Sequence, residues 1–342
     1  MPGHTRLTHT LTAIIENMFR VPADAFLGPI QHEHIVPRLR ATTRRQWLAG
    51  LAMAGIARSA PVPGSILVHE HIMVDFIGAD LIAPGRYSAD AVFRAARPKL
   101  EELRQYGCRR LLECTPNFLG RDPALMARLS DATGIEIWTN TGLYAAGNHK
   151  YLPEYARRKT AEQLARRWIE EARQGFGGVK PRFIKIGVNS APLHEWDRKL
   201  VRAAAMASRE SGLTVASHTG DGPAAMEQIE IFMAAKGAPA KFVWVHAQNE
   251  KTHKFHQRTA SAGAWVEFDG ISQESAGWHR ECVQSMAANG LLDQTLISQD
   301  SGWYHVGEPG GEEYRGDTFI YTDFLQSIRT SCPRSKPPGC RR

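Results

Sequence analysis

From about residue 64 onward, short apolar runs alternate with longer stretches whose apolar residues recur at helical spacing. The runs fall at residues 65–68, 110–114, 136–140, 183–187, 214–217, 242–245, 265–268 and 295–299. Short and rich in Val, Ile and Trp, they read as strands buried on both faces. Predicted helices between them include 89–106, 161–174, 198–210, 224–235 and 274–289. Eight such units over about 265 residues match a (β/α)₈ TIM barrel of the α/β class in size and count. A doubly wound sheet is the alternative, but its first strand normally leads into a Gly-rich phosphate turn. Here Val68 is followed by His69-Glu70-His71, and no GxGxxG or GxxxxGK pattern appears.

In a barrel, chemistry gathers at the C-terminal strand ends. Those ends carry His69 and His71, Lys185, His218, His246 and Asp300. His69 and His71 are two apart, so an extended chain turns both to one side. Taken singly, His218 or His246 reads as a structural histidine. Four histidines on three strands, with Asp300 ending a fourth run, suit zinc or a similar first-row ion. His32-Glu33-His34 repeats the pattern, but Gly28-Pro29-Ile30-Gln31 precedes it instead of a strand, so it reads as a decoy. Lys185 sits inside Phe183-Ile184-Lys185-Ile186-Gly187, where an unpaired charge is costly. It either reaches the rim, pairs with Asp300, or is a neutral amine that captures CO₂ as a carbamate.

Charge changes the picture only at the ends. The net charge is +7, yet residues 1–63 hold seven Arg against three acids and residues 329–342 hold five basic residues and no acid. The body between them is near neutral, with no electrostatic footprint for nucleic acid. Five cysteines without CxxC spacing indicate neither a zinc knuckle nor a dense disulfide framework. Thr43-Arg44-Arg45-Gln46-Trp47-Leu48, then a short apolar run and small residues, resembles a twin-arginine export signal, which implies an exported, periplasmic protein. The run is shorter than the ~20 residues of a membrane span. Residues 1–63 are therefore expected to be a leader, 64–328 the barrel and 329–342 a basic tail too poor in apolar residues to fold.

Five segments together resemble the phosphotriesterase-like branch of the amidohydrolase superfamily: Val68-His69-Glu70-His71-Ile72, Ile184-Lys185-Ile186, Ala216-Ser217-His218-Thr219, Val243-Trp244-Val245-His246 and Leu296-Ile297-Ser298-Gln299-Asp300. The resemblance covers nearly all of 64–328 and implies a metal-dependent hydrolase of ester bonds with two divalent metal ions. It implies that His69, His71 and Asp300 hold the more buried ion, that His218 and His246 hold the other, and that a carboxylated Lys185 and a hydroxide bridge them. The implied chemistry is attack by that hydroxide on a lactone, carboxylic ester or organophosphate triester, with Asp300 taking the proton and His246 or Asp269 relaying it. Tyr144 matches the position where lactonase members place a tyrosine over the exposed ion. Trp303, Tyr304 and His305 form a candidate substrate wall, or simply cap the barrel. A homodimer is left open. Members of the family continue past residue 328 with a final helix, and here a Pro/Arg/Cys tail stands instead, so the last helix reads as truncated. The complete ligand set favours an active enzyme over the alternative, a truncated homologue that only binds metal. A mononuclear deaminase is disfavoured by Lys185.

Overall fold

The computed structural model describes residues 64–272 and 274–307. The expected leader with its Arg44-Arg45 pair, the His32/His34 repeat, the last helix read as truncated and the basic tail lie outside the described residues.

All paired strands are parallel. One sheet has the order β10-β1-β2-β3 and the other β4-β5-β6-β7-β8-β9. The strands are β1 (Ser65–His71), β2 (Cys108–Glu113), β3 (Glu136–Trp138), β4 (Asn140–Thr141), β5 (Phe183–Gly187), β6 (Thr214–His218), β7 (Phe242–Val245), β8 (Trp265–Phe268), β9 (Thr295–Ile297) and β10 (Ser301–Gly302). β3 and β4 are one strand interrupted at Thr139, and β9 and β10 are one strand interrupted at 298–300. Following the chain through both interruptions closes a ring of eight, the (β/α)₈ barrel. The break at 298–300 is a handover: Ser298 N–H donates to Phe268 on one side, and Asp300 N–H donates to His69 on the other.

The helices are α1 (Ala89–Gln105), α2 (Pro123–Thr133), α3 (Glu154–Arg158), α4 (Ala161–Gln174), α5 (Glu195–Ser211), α6 (Gly222–Ala234), α7 (His253–Ser261) and α8 (Ala276–Ala288). Their starts follow local chemistry. Asp122 and Asp221 cap α2 and α6 by accepting from the third residue on, and Thr160 with Gln163 forms a reciprocal capping box on α4. Gly134 and Gly212 end α2 and α5 in the left-handed conformation.

Three apolar clusters divide the interior. One joins β5–β8 to α3–α8, and another joins β1–β3 to α1 and α2. The third draws Ile66, Val68, Leu112, Phe183, Ala216, Val243, Val245 and Leu296 from strand positions, and fills the barrel lumen. Along β5 and β6 the period of two then carries the same inward row from Phe183 to Lys185 and from Ala216 to His218. The lumen is a packed floor, and the polar ligands stand directly on it.

Candidate metal centre

His69, His71, Tyr144, Lys185, His218, His246 and Asp300 all line one cavity at the C-terminal strand ends, together with Val74, Phe76 and Cys114. Its volume is about 160 Å³.

β1 reaches this cavity through an irregularity. Leu67 pairs with Leu111 and Glu70 with Glu113, so β1 advances one residue further than β2. An extra residue of this kind reverses which positions face inward. Ile66 and Val68 face the lumen low in the barrel, and His69 and His71 face it above the bulge. Glu70 turns instead toward the broken strand, where it accepts from Ser298 Oγ (2.9 Å) and from the backbone N–H groups of Gln299 (3.1 Å) and Ser301 (2.8 Å). That clamp spans Asp300, whose φ of 54° is unfavourable for a residue with a Cβ. His246 is held in the same region, at φ 65°.

Hydrogen bonds fix the ring orientations. His69 Nδ1 lies 3.0 Å from Glu267 Oε1 and 3.2 Å from Asp269 Oδ2, so it donates, and its Nε2 presents a lone pair to the cavity. His71 Nδ1 lies 2.8 Å from Thr115 Oγ1, whose hydroxyl is itself spent on the Met73 carbonyl (2.9 Å). The Thr115 oxygen therefore accepts from His71, and His71 Nε2 also presents a lone pair. The two Nε2 atoms face each other at 3.2 Å, and Asp300 Oδ1 stands 3.1 Å from His71 Nε2 and 3.6 Å from His69 Nε2. Three electron-pair donors converge on one point, which a cation satisfies and apolar packing does not. The donor set fits a divalent metal.

Electrostatics agree with this geometry. Burial, with Lys185 nearby, lowers His69 to about 3, and burial lowers His71 as well, so both rings are neutral as ligation requires. Burial and the neighbouring His246 hold His218 well below the usual histidine range. Burial pushes the Asp300 carboxyl up, but the facing imidazoles of His69 and His71 outweigh it and hold the group below the usual carboxylate range. Glu267 and Asp269 share one environment. Burial and Asp269 drive Glu267 well above the carboxylate range. Asp269 is driven up by its own burial but held well below that range by His246 and His69.

The second pair of histidines is arranged differently. His246 Nδ1 donates to Asp269 Oδ1 at 2.6 Å, leaving Nε2 for a ligand. His69, His246 and Asp269 lie close enough to be taken for a metal triad themselves. The 2.6 Å contact is a hydrogen bond, though, so Asp269 is an orienting group for both rings. Gln248 fixes Asp269 in turn: its Nε2 donates to Oδ1 (2.7 Å) and its Oε1 accepts from the Asp269 N–H (3.1 Å). The half-buried His218 ring packs 4.4 Å from His246 and 5.1 Å from Tyr144, between ring centroids. Tyr144 lies flat over Gly187, where a Cβ would meet its ring at 2.4 Å. At Gly142, φ is +116° and a Cβ would stand 2.1 Å from the Lys185 carbonyl oxygen, so only glycine lets this loop approach β5.

The remaining expected site residues lie elsewhere. Trp303 is buried in the cluster beneath α1 and α2, Tyr304 packs against that cluster, and His305 sits edge-on to Phe76 at 5.3 Å. None of the three lines the cavity; Phe76 does. The chain continues from β10 alongside β1, with Val74 bridging His305, which draws Trp303 inward. Sequence reasoning gave no role to Glu70, Thr115, Gln248 or Glu267. A signal was present on β8, where Glu267 and Asp269 are buried acids two residues apart at a strand end, as His69 and His71 are on β1.

Fold and site together define a metal-dependent hydrolase of ester bonds. The chain belongs to the phosphotriesterase family, whose model matches residues 53–332. It is 24% identical over 275 residues to the phosphotriesterase homology protein of Escherichia coli, covering 78% of this chain and 91% of that one. It is 25% identical over 243 residues to an aryldialkylphosphatase of Saccharolobus solfataricus, covering 69% and 76%. Among solved structures, a mutant organophosphorus hydrolase from Deinococcus radiodurans superposes with a TM-score of 0.70 at 23% identity, over 78% of this chain and 87% of that one. Among the described residues no helix is long and apolar enough to cross a membrane.

Proposed function

We propose that this chain is a binuclear hydrolase of small lactones, carboxylic esters or organophosphate triesters. His69, His71 and Asp300 hold one divalent cation, zinc or a similar first-row ion. His218 and His246 would hold the second, and Lys185 would be the side chain that carries a carbamate as a further anionic ligand. The observation that carries this reading is the convergence of the His69 and His71 Nε2 lone pairs on Asp300 Oδ1, with Lys185 Nζ 3.2 Å from the same His69 nitrogen. Cations bound there lower the pKa of water and polarise a substrate oxygen.

The side chains do the rest. Asp300, ionised and at the cavity wall, accepts the proton released when water attacks. His246, with Nδ1 committed to Asp269, keeps a fixed tautomer. Tyr144 and Phe76 flank the substrate's entry and set which leaving groups fit. The acidic pair of Glu267 and Asp269, buried behind the rings, gives the centre its anionic backing.

Metal content and hydrolysis of lactone, aryl ester and triester substrates, measured on wild type and Lys185→Ala, test the reading. Two metals per chain are expected, with Lys185→Ala losing metal and at least about 100-fold in turnover. Partial restoration by added formate, a small carboxylate in place of the carbamate, is expected too. One metal per chain with turnover unchanged in Lys185→Ala overturns it.

A further inference from the structure

Outside the cavity, a second cluster of ligating side chains sits between α7 and α8. His253 opens α7, and His256 follows three residues later on the same helix face. Cys282 of α8 meets them, and the three offer ligand atoms all within 4.8 Å of one another. None of these residues lines the catalytic cavity.

The bland alternative is a buried thiol packed beside two histidines, since an unoxidised Cys is commonly a small hydrophobe. The hydrogen bonding argues against it. His256 is fully buried, and its Nε2 donates to the Ala247 carbonyl at 2.7 Å, so Nδ1 carries a lone pair. That Nδ1 is buried and has no hydrogen-bond partner, and the same is true of Nδ1 of His253. Two buried nitrogens are left unsatisfied beside one thiol. His253 is held in place by stacking on Trp278, at 5.0 Å and 16° between planes.

We propose that His253, His256 and Cys282 form a separate site for a thiophilic first-row divalent cation such as Zn²⁺, built into the outer helices of the barrel. On binding, Cys282 gives up its S–H proton to solvent and ligates as thiolate, while the two Nδ1 lone pairs complete three ligands. The fourth tetrahedral position is left to water on the half-buried His253 side. Metal–ligand bonds of about 2.0–2.3 Å place tetrahedral ligands roughly 3.3–3.7 Å apart, so each side chain moves by a fraction of an ångström to about one ångström. Burial supports this: it lowers His256 to about 4 and pushes the Cys282 thiol up to about 12, so the imidazole is ready to ligate and the thiol stays protonated until a cation arrives. A cation on His256 Nδ1 polarises its Nε2–H and tightens the bond to Ala247, the residue after the left-handed His246. The site would thus brace one ligand of the catalytic centre from behind.

Cobalt reports on this site independently of the barrel centre, because a Co²⁺–thiolate bond gives a charge-transfer absorption that His and carboxylate ligands do not. The full chain, stripped of metal, is titrated with Co²⁺ while ester hydrolysis is followed in parallel. One equivalent per chain bearing the thiolate band is expected. The band should be absent in Cys282→Ala and should need at least about tenfold more Co²⁺ in His253→Ala. It should persist in Cys114→Ala and in the Cys332→Ser/Cys340→Ser double variant. No band in the intact chain, or a band that survives Cys282→Ala, overturns the proposal. Cobalt-dependent hydrolysis with no thiolate band would leave the catalytic reading standing and remove this one.

Discussion

The two halves of the catalytic centre are held with different firmness. In the half built by His69, His71 and Asp300, every candidate ligand has a buried partner: Glu267 and the shared Asp269 behind His69, Thr115 behind His71, and the Glu70 clamp around Asp300. In the half built by His218 and His246, Asp269 fixes His246, whereas the partly exposed His218 leans on the rings of Tyr144 and His246. Orienting partners typically contribute 10–100-fold to metal affinity. On the proposed two-cation reading, the first half is pre-organised and should bind its ion tightly, while the second should exchange its ion and respond to what occupies the cavity. Stability of the centre lives on β1 and the broken β9/β10 strand, and adaptability lives on β6.

Removing a ligand from each half gives the largest contrast. Asp300→Ala deletes the carboxylate on which both Nε2 atoms converge and, on the proposed reading, the acceptor for the water proton. Turnover should fall by about 10³-fold or more, with no recovery at high metal. His218→Ala should cost about 10–100-fold, and excess Zn²⁺ should recover much of it, because the firm half stays intact. Steady-state kinetics across a metal titration checks both. Equal and unrecoverable losses would erase the distinction between the halves.

Changing the orienting groups gives a smaller effect with a sharper pattern. Asp269 serves His69 and His246 at once, so Asp269→Asn should weaken both ions, by about 10–100-fold in affinity. Thr115→Val touches His71 alone and should slow turnover by about tenfold or less, leaving the second ion's affinity unchanged. Competition with a chelator, reading one metal at a time, separates the two outcomes. If Thr115→Val loosened both ions equally, the halves would be one coupled unit.

These contrasts also mark what was legible in the sequence. The candidate ligands were readable as a group that meets in one cavity, because each follows or interrupts an apolar run and strand ends in a barrel converge. The eight-unit count was readable for the same reason. The bulge that turns His69 and His71 inward was not, because it is defined by pairing with β2, 40-odd residues away. The left-handed turns at His246 and Asp300 were hidden too, since neither position carries the glycine that normally announces one. Trp303 was read as a loop aromatic at the mouth, but the backbone pairing of 303–306 with residues 71–74 buries it. Orienting acids are the hardest class to see. Glu267 and Asp269 mean something only beside rings from two other strands.

The smallest expected effect concerns the firm half's support. Glu113 ends β2 opposite Glu70, and its Oε1 accepts from the Ile72 N–H at 3.3 Å, while its Oε2 is buried without a partner. Burial pushes its pKa up to about 8 from an ordinary 4.5. The folded chain therefore keeps this proton between those two values while the unfolded chain releases it. The unfolded state binds fewer protons there, so stability falls as pH rises from 4.5 through about 8 and is flat above. Glu113→Gln removes this titration. Its unpaired amide adds a cost that does not change with pH, so the cost cancels when slopes are compared. The Tm difference between Glu113→Gln and wild type should rise in the variant's favour from pH 4.5 to 8 and then level off, in scanning calorimetry of the metal-free protein. A difference that stayed constant over that range would mean that Glu113 is already ionised in the fold. β1 would then be held by a buried charge, and the firm half would owe its rigidity to electrostatics as well as to hydrogen-bonded rings.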